Sequence, residues 1–232
     1  MDASVGVLYN ERMLEEKLLR FNLMDFPVRH IICAGYSGRS QAAVREHVEE
    51  LIALGMPAPA STPIFFKVSN YLATTGTDVT VQDKFTSGEV EFALLFHQGE
   101  TFVTCGSDHT HRGLERYSIP GAKQMHPKIL ASEVWRFGDV ASDWDRMVLQ
   151  SWATVDGVRE LYQEASLAQI MAPEPLLQEA EQHFKVRQDG TIFMSGTIPT
   201  VHGLVYADHF AFELHDPSRN RSIRHSYDVS PL

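Results

Sequence analysis

The segment Glu89–Phe96, EVEFALLF, constrains this chain more than any other. Its first half alternates acidic and apolar residues and its second half is wholly apolar. It therefore reads as a strand that starts at a polar rim and runs into a core. Gln98-Gly99 follows as a hairpin turn, and Thr101–Cys105 (TFVTC) pairs back. The same signal recurs downstream. Asp156-Gly157 joins MVLQSWATV to VRELYQE, Asp189-Gly190 turns into TIFMSG, and two alternating stretches flank DPSRN. Val28–Ala34 and Ile64–Val68 add two more strands, and GYSG (35–38) is a loop.

Helical spacing is scarcer. Residues 11–21 read as a short amphipathic helix carrying Met13, Leu14, Leu18 and Leu19. From Ser40, apolar residues recur every three to four positions (Ala43, Val44, Val48, Leu51, Ile52), and Gly55 ends the run. Pro173 opens a third helix toward Phe184. No long βαβα alternation supports a Rossmann fold. The expected class is α+β, mainly β, with a few helices. The expected organisation is an N-terminal helical appendage (1–27) and one catalytic domain (28–232).

Composition excludes several functions. The formal charge of −10 comes without any Lys/Arg run, which argues against nucleic acid. No stretch of 18 apolar residues predicts a membrane span, and the acidic N-terminus lacks a signal-peptide core. Cys33 and Cys105 each sit in an apolar stretch, as reduced, buried thiols of a cytoplasmic protein do, although sequence alone leaves a disulfide open.

Three features carry chemistry. Glu89 and Glu91 are two apart, so in a strand their carboxylates share a face and repel, a cost that a bound cation removes. Glutamates at this spacing also occur on solvated strand edges. The stretch GSDHTHRGLE (106–115) crowds an acid, two histidines and an arginine behind an apolar strand, as a site or as a polar turn. GTIFMSGTIP (190–199) offers the Thr197 hydroxyl and backbone N–H groups beside Gly196.

Taken in order, these motifs resemble the fumarylacetoacetate hydrolase superfamily, in its short bacterial DUF2848-like branch. That family runs through a strand and loop, a His/Glu segment, an F-K-P stretch, E-x-E, N-D-x-x-x-R, a lysine, an N-G hairpin with a following glutamine, and G-T-P. Here the order is IICAGYSG, His47 with Glu50, IFFKV, Glu89-x-Glu91, Ser107-Asp108 with Arg112, Lys123, Asp156-Gly157 with Gln163, then Gly196-Thr197 and Pro199, over roughly residues 28–205. The resemblance implies a mixed β-roll of the C-terminal-domain type with peripheral helices, usually a homodimer. It implies Mg2+ or Mn2+, with Ca2+ as a further option, held by Glu89, Glu91 and Asp108. Lys123 would be catalytic, Arg112, Gly196, Thr197 and Gln163 would contact a small anionic substrate, and His47 with Glu50 would be the acid–base pair. The implied reaction is metal-assisted hydrolysis of a C–C bond in a 2-oxo acid or acylpyruvate. Decarboxylases, isomerases, hydratases and dehydratases share this scaffold.

The sequence departs from the family in several places. His47 follows Gly35 by twelve residues, Glu115 stands where the family has glutamine, and Ser107 replaces the asparagine before Asp108. His109 and His111 lie outside the pattern; His109 is a candidate to line the pocket or to join the proton chemistry. A rival reading takes His109, His111 and Glu115 as cupin-type ligands, with His202 as the late partner, for iron, zinc or manganese. A third is a non-catalytic binding protein on the same scaffold.

Overall fold

The structure, a computed structural model, describes residues 17–53 and 58–232, without the side chains of His47 and Leu51. The first strands are β1 Leu18–Arg20, β2 Asp25–Pro27, β3 His30–Gly35, β4 Ile64–Val68, β5 Ala73–Thr74, β6 Asp78–Val81 and β7 Thr86–Ser87. They are followed by β8 Val90–His97, β9 Glu100–Asp108, β10 Thr110–His111, β11 Lys128–Leu130 and β12 Trp135–Arg136. The last are β13 Val148–Val155, β14 Val158–Ser166, β15 Thr191–Met194, β16 His209–Asp216 and β17 Arg221–Pro231. Helices α1 Gln41–Ala53, α2 Arg112–Glu115, α3 Ile119–Met125, α4 Phe137–Val140 and α5 Pro173–Glu181 lie between them.

Two sheets dominate. One runs β4-β3-β15-β8-β9-β11-β5, with β12 also on β9; the other runs β14-β13-β16-β17-β6. This is the mainly β, mixed-sheet architecture with few helices that the motif order implies. β8 shows why its sequence is apolar on consecutive positions. Val90, Phe92, Leu94 and Phe96 enter one core together with Phe210, Phe212 and Leu214 of the second sheet. Ala93 and Leu95 enter another on the opposite face. A strand buried on both sides loses its visible alternation. The turns match their residues as well. Gln98 and Gly99 have φ of 52° and 79°, and Asp156 and Gly157 have 50° and 80°, the pair of positive values that a tight hairpin twist requires.

The expected N-terminal helix is corrected. Its described part, from Leu18, is a strand paired antiparallel with Asp25–Pro27; residues 1–16 lie outside the described residues. Leu19, Phe21 and Phe26 are buried in the second core, while Leu18 is 60% exposed. The burial period here is two, and the Phe21–Phe26 edge-to-face contact at 6.1 Å closes the hairpin. This hairpin covers the sheet face that carries Ala93, Leu95 and Leu130, so it is a wall of the core. α1 follows its sequence pattern through Ala53; the expected stop at Gly55 lies outside the described residues. Both cysteines are buried and free, and no helix among the described residues is long and apolar enough to cross a membrane.

Candidate functional site

The site is a row of side chains across three strands. Val90 pairs with Ser107 and Glu91 with Gly106, so Glu89, one residue before β8, falls beside Asp108, whose N–H donates to the Glu89 carbonyl at 3.0 Å. On the other side of β9, Lys128 lies directly opposite Asp108. Residues two apart on a strand, and residues opposite each other across strands, share a face. Glu89, Glu91, Asp108 and Lys128 therefore converge. Glu89, Glu91 and Asp108 each bring a carboxylate oxygen within 4.8 Å of the others, the one such His/Cys/Asp/Glu group among the described residues. Glu91 and Asp108 are fully buried, and Glu89 keeps only 15% of its side chain exposed.

Three cations surround these acids. Lys123, from α3, reaches Asp108 Oδ2 at 2.5 Å and Glu89 Oε2 at 3.3 Å. Lys128 Nζ lies 2.5 Å from Asp108 Oδ1. Arg112, opening α2, donates to Glu89 Oε1 at 3.0 Å, Glu115 Oε2 at 3.1 Å and Ser87 Oγ at 2.6 Å. The charges set the titration. Burial alone would raise every carboxyl here. At Asp108, Lys123 and Lys128 outweigh burial and hold the group far below the usual carboxylate range. At Glu89, Arg112 and Lys123 also outweigh burial and lower the group. At Glu91 the balance goes the other way: burial and then neighbouring Asp108 push its carboxyl well above the ordinary value, against the lowering pull of Lys123 and of the Gly196 N–H. Burial would lower Lys123, but Asp108 and Glu89 keep it above its usual value and charged.

The residues fit a divalent cation on their own chemistry. All three donors are hard carboxylate oxygens, the set that suits magnesium, manganese or calcium. Glu91 Oε2 accepts the Gly196 N–H at 2.9 Å, whereas Glu91 Oε1 is buried with no hydrogen-bond partner. A buried, raised carboxyl with one orphan oxygen among two other acids is what a cation would satisfy. Arg112 Nη2 is likewise buried without a hydrogen-bond partner.

Gly196 is shaped for its contact. Its φ is 82°, and a Cβ there would overlap Ser37 Oγ and lie 3.2 Å from the Ala34 carbonyl. Ser37 Oγ in turn donates to the Ser195 carbonyl, so the loop after β3 braces the turn that holds Glu91. Thr197 Oγ1 donates to the Val90 carbonyl at 2.8 Å and accepts from Gln163 Nε2 at 2.8 Å. Gln163 Nε2 also donates to the Ile198 carbonyl at 2.6 Å, and its Oε1 accepts from Val90 N and Ser151 Oγ, both at 3.1 Å. The structure thus places Gln163 and Thr197 in a clasp that ties the residue between the two glutamates to the Gly196 turn.

His109 is fully buried beside Asp108, with Thr86 Oγ1 on Nε2 and Tyr227 Oη at 2.9 Å from Nδ1. Burial and then His126 hold it well below its ordinary pKa, as a neutral ring. His111 Nε2 faces Asp83 at 3.1 Å, and Glu115 faces Arg112. The cupin-type set is therefore turned in three directions, and His202 is exposed on a loop. Glu50 is exposed on α1, and the side chain of His47 lies outside the described residues. Sequence reasoning missed Lys128, a lysine that opens the apolar strand KIL; only strand register reveals its partner. It also missed Tyr36, half-buried with φ of 54°, whose phenol is pushed upward by burial and then by Glu115 and Glu89.

Known proteins share this fold. The fold matches a proposed fumarylpyruvate hydrolase from Burkholderia cenocepacia with a TM-score of 0.67 at 16% identity, over 100% of this chain and 96% of that one. It matches a proposed fumarylacetoacetate isomerase/hydrolase from Oleispira antarctica with a TM-score of 0.66 at 19% identity, over 91% and 99%. A 2-keto-3-deoxyarabinonate dehydratase aligns with a TM-score of 0.61 at 14% identity, over 89% and 76%. No curated protein matches the chain. The family model described as "Protein of unknown function (DUF2848)" matches residues 34–227, and the chain belongs to that family, on the fumarylacetoacetate hydrolase scaffold.

Proposed function

We propose that this protein is a divalent-metal-dependent enzyme that cleaves a C–C or related bond in a small oxo acid or acylpyruvate-like anion. The observation that carries the reading is the buried triad Glu89, Glu91 and Asp108 with its orphan Glu91 oxygen. These three residues would hold Mg2+ or Mn2+, which when bound supplies Lewis-acid polarisation of a substrate carbonyl. The remaining work falls to the chain. Lys123, kept charged by two carboxylates, presents its positive charge to an enolate oxygen as charge develops. Arg112, with one unsatisfied nitrogen, supplies a donor for the substrate carboxylate. Gly196 orients Glu91 through its N–H. His47 and Glu50, three apart on α1, are the proposed pair that takes a proton from water, with His109 as the reserve base. The reading includes a cytoplasmic homodimer, supported by two free, buried cysteines and by the resemblance.

The test begins with chelator-stripped protein. Oxaloacetate, simple acylpyruvates and a 2-oxo-3-deoxy sugar acid are followed with magnesium, manganese or zinc added back, and with Glu91→Ala as control. The dehydratase on this scaffold motivates the third substrate. Activity restored by magnesium or manganese and lost in Glu91→Ala supports the reading, and the substrate turned over decides between hydrolysis and dehydration. Inactivity with every substrate and metal, together with no metal bound, overturns it in favour of a non-catalytic role.

A further inference from the structure

Lys123 and Lys128 both pair with Asp108, but they are held in different ways. Among the described residues, Lys123 Nζ contacts only carboxylates, Asp108 and Glu89, and its side chain is 6% exposed. Lys128 is fully buried, and its ammonium sits in a cage. Besides Asp108 Oδ1 at 2.5 Å, it faces the backbone carbonyls of Lys123 at 2.6 Å, His109 at 3.1 Å and His126 at 3.2 Å. Two of these carbonyls belong to the end of α3, where orphan acceptors await a donor and favour a cation. An ammonium has three protons, and the three carbonyls take all of them, while Asp108 Oδ1 faces the ammonium as an ion pair without a hydrogen bond of its own. Leaving would strand buried carbonyls and a buried carboxylate oxygen at once. Lys128 is also opposite Asp108 on the neighbouring strand, so the backbone ladder fixes where its side chain starts.

Resting on the metal reading above, we propose that Lys128 is a permanent internal counter-charge that lowers the affinity of the carboxylate triad for divalent cations and keeps the metal exchangeable. The reason is electrostatic. Lys128 engages Asp108 Oδ1, which leaves Oδ2 as the oxygen on the side of Glu89, where Lys123 bridges the two acids. A cation held there shares Asp108 with a fixed like charge in a buried setting, where salt screens poorly. Lys123 can turn away because no carbonyl holds it; Lys128 cannot.

The test is the affinity for Mn2+, read by the electron paramagnetic resonance signal of the free ion, together with thermal melts in chelator. Lys128→Met removes charge and donors. Lys128→Gln removes the charge but keeps amide N–H groups for the carbonyl cage, and serves if the methionine variant does not fold. Lys128→Arg keeps the charge, and Glu91→Gln marks loss of the site. The expected result is Mn2+ binding about tenfold tighter or more in the folded neutral variants, despite a lower melting temperature in chelator, with Lys128→Arg near wild type. A merely structural lysine gives lower melting temperatures with equal or weaker Mn2+ binding, and that result overturns the inference while leaving the metal reading intact. If wild type itself binds no Mn2+, both fall together.

Discussion

Gly196→Ala tests whether the turn after β15 is built around Glu91. Three costs follow from the structure. The backbone sits at φ of 82°, where any Cβ is strained by about 1–2 kcal/mol. The new methyl would overlap Ser37 Oγ and approach the Ala34 carbonyl at 3.2 Å, and relief of such overpacking costs about 1–3 kcal/mol. The shift that relieves it pulls the Gly196 N–H from Glu91 Oε2, a hydrogen bond to an acidic group worth about 1.5–3 kcal/mol. The expected loss is about 3.5–8 kcal/mol, a large share of the about 5–15 kcal/mol that holds a domain together. Gly157→Ala is the control, because Gly157 has nearly the same φ, 80°, and nothing within 4 Å of its virtual Cβ. It should lose only the backbone term, about 1–2 kcal/mol. Urea unfolding followed by tryptophan fluorescence compares the two. If both variants lose the same stability within about 0.5 kcal/mol, the contacts assigned to the Gly196 turn contribute nothing and the reasoning fails.

Three further outcomes follow. Gln163→Leu should lose about 2–4 kcal/mol in the same assay, because it strips partners from Val90 N and the Ile198 carbonyl together; a loss under about 1 kcal/mol would mean that the clasp is not holding the strand. His126 is buried against His111 and pushed down to about 4, so the unfolded chain, with histidine near 6.5, binds more protons between those values and stability from this group falls as pH drops through that window. Wild type should therefore gain about 1 kcal/mol on His126→Phe from pH 5 to pH 7, measured by paired urea titrations, and a constant gap contradicts it. Cys33 and Cys105 are buried with thiols pushed up chiefly by burial, so a thiol reagent should label neither in the native protein and both in denaturant; fast native labelling would contradict the burial of β3 and β9.

Local pattern and long-range register divide what could be read from residues alone. The strands Ile64–Val68 and Val90–His97, the hairpins at Gln98-Gly99 and Asp156-Gly157, and the proline-started α5 were legible because turn chemistry and apolar runs act over a few positions. The E-x-E pair was legible for the same reason: two residues apart is a strand period. Asp108 joined it only through the resemblance, since its approach to Glu89 depends on the pairing of β8 with β9. Lys128 depends on a further pairing, β11 on β9, and no local feature of HPKIL marks it. The N-terminal hairpin misled for a physical reason. Leu18 and Leu19 satisfy a helical stripe on paper, but only Leu19 is buried, because tertiary packing against Phe26 and Val28 overrides a weak local preference. Gln163 and Thr197 were legible as polar residues near the site, but their hydrogen bonds run to backbone groups and to each other, which no spacing rule announces.

The charge balance of the row explains why an acidic chain concentrates three cations in one place. Glu89, Glu91, Asp108 and Glu115 set four carboxyls against Arg112, Lys123 and Lys128. Fully ionised, that cluster is short by one positive charge, and the shortage shows most at Glu91, whose carboxyl is pushed well above its ordinary value and whose Oε1 has no hydrogen-bond partner. The cluster can relieve itself by a proton on Glu91 or by a cation beside it, and burial makes one of the two obligatory. A divalent cation overshoots by one, leaving the row with a single excess positive charge next to the unsatisfied nitrogen of Arg112. A monoanionic carboxylate that also offers a carbonyl oxygen to the metal restores neutrality and fills both vacancies with one molecule. The same count gives Lys128 its place: with that fixed charge removed, the metal alone would neutralise the row, and the pull on an anionic substrate would be lost along with the ease of metal exchange.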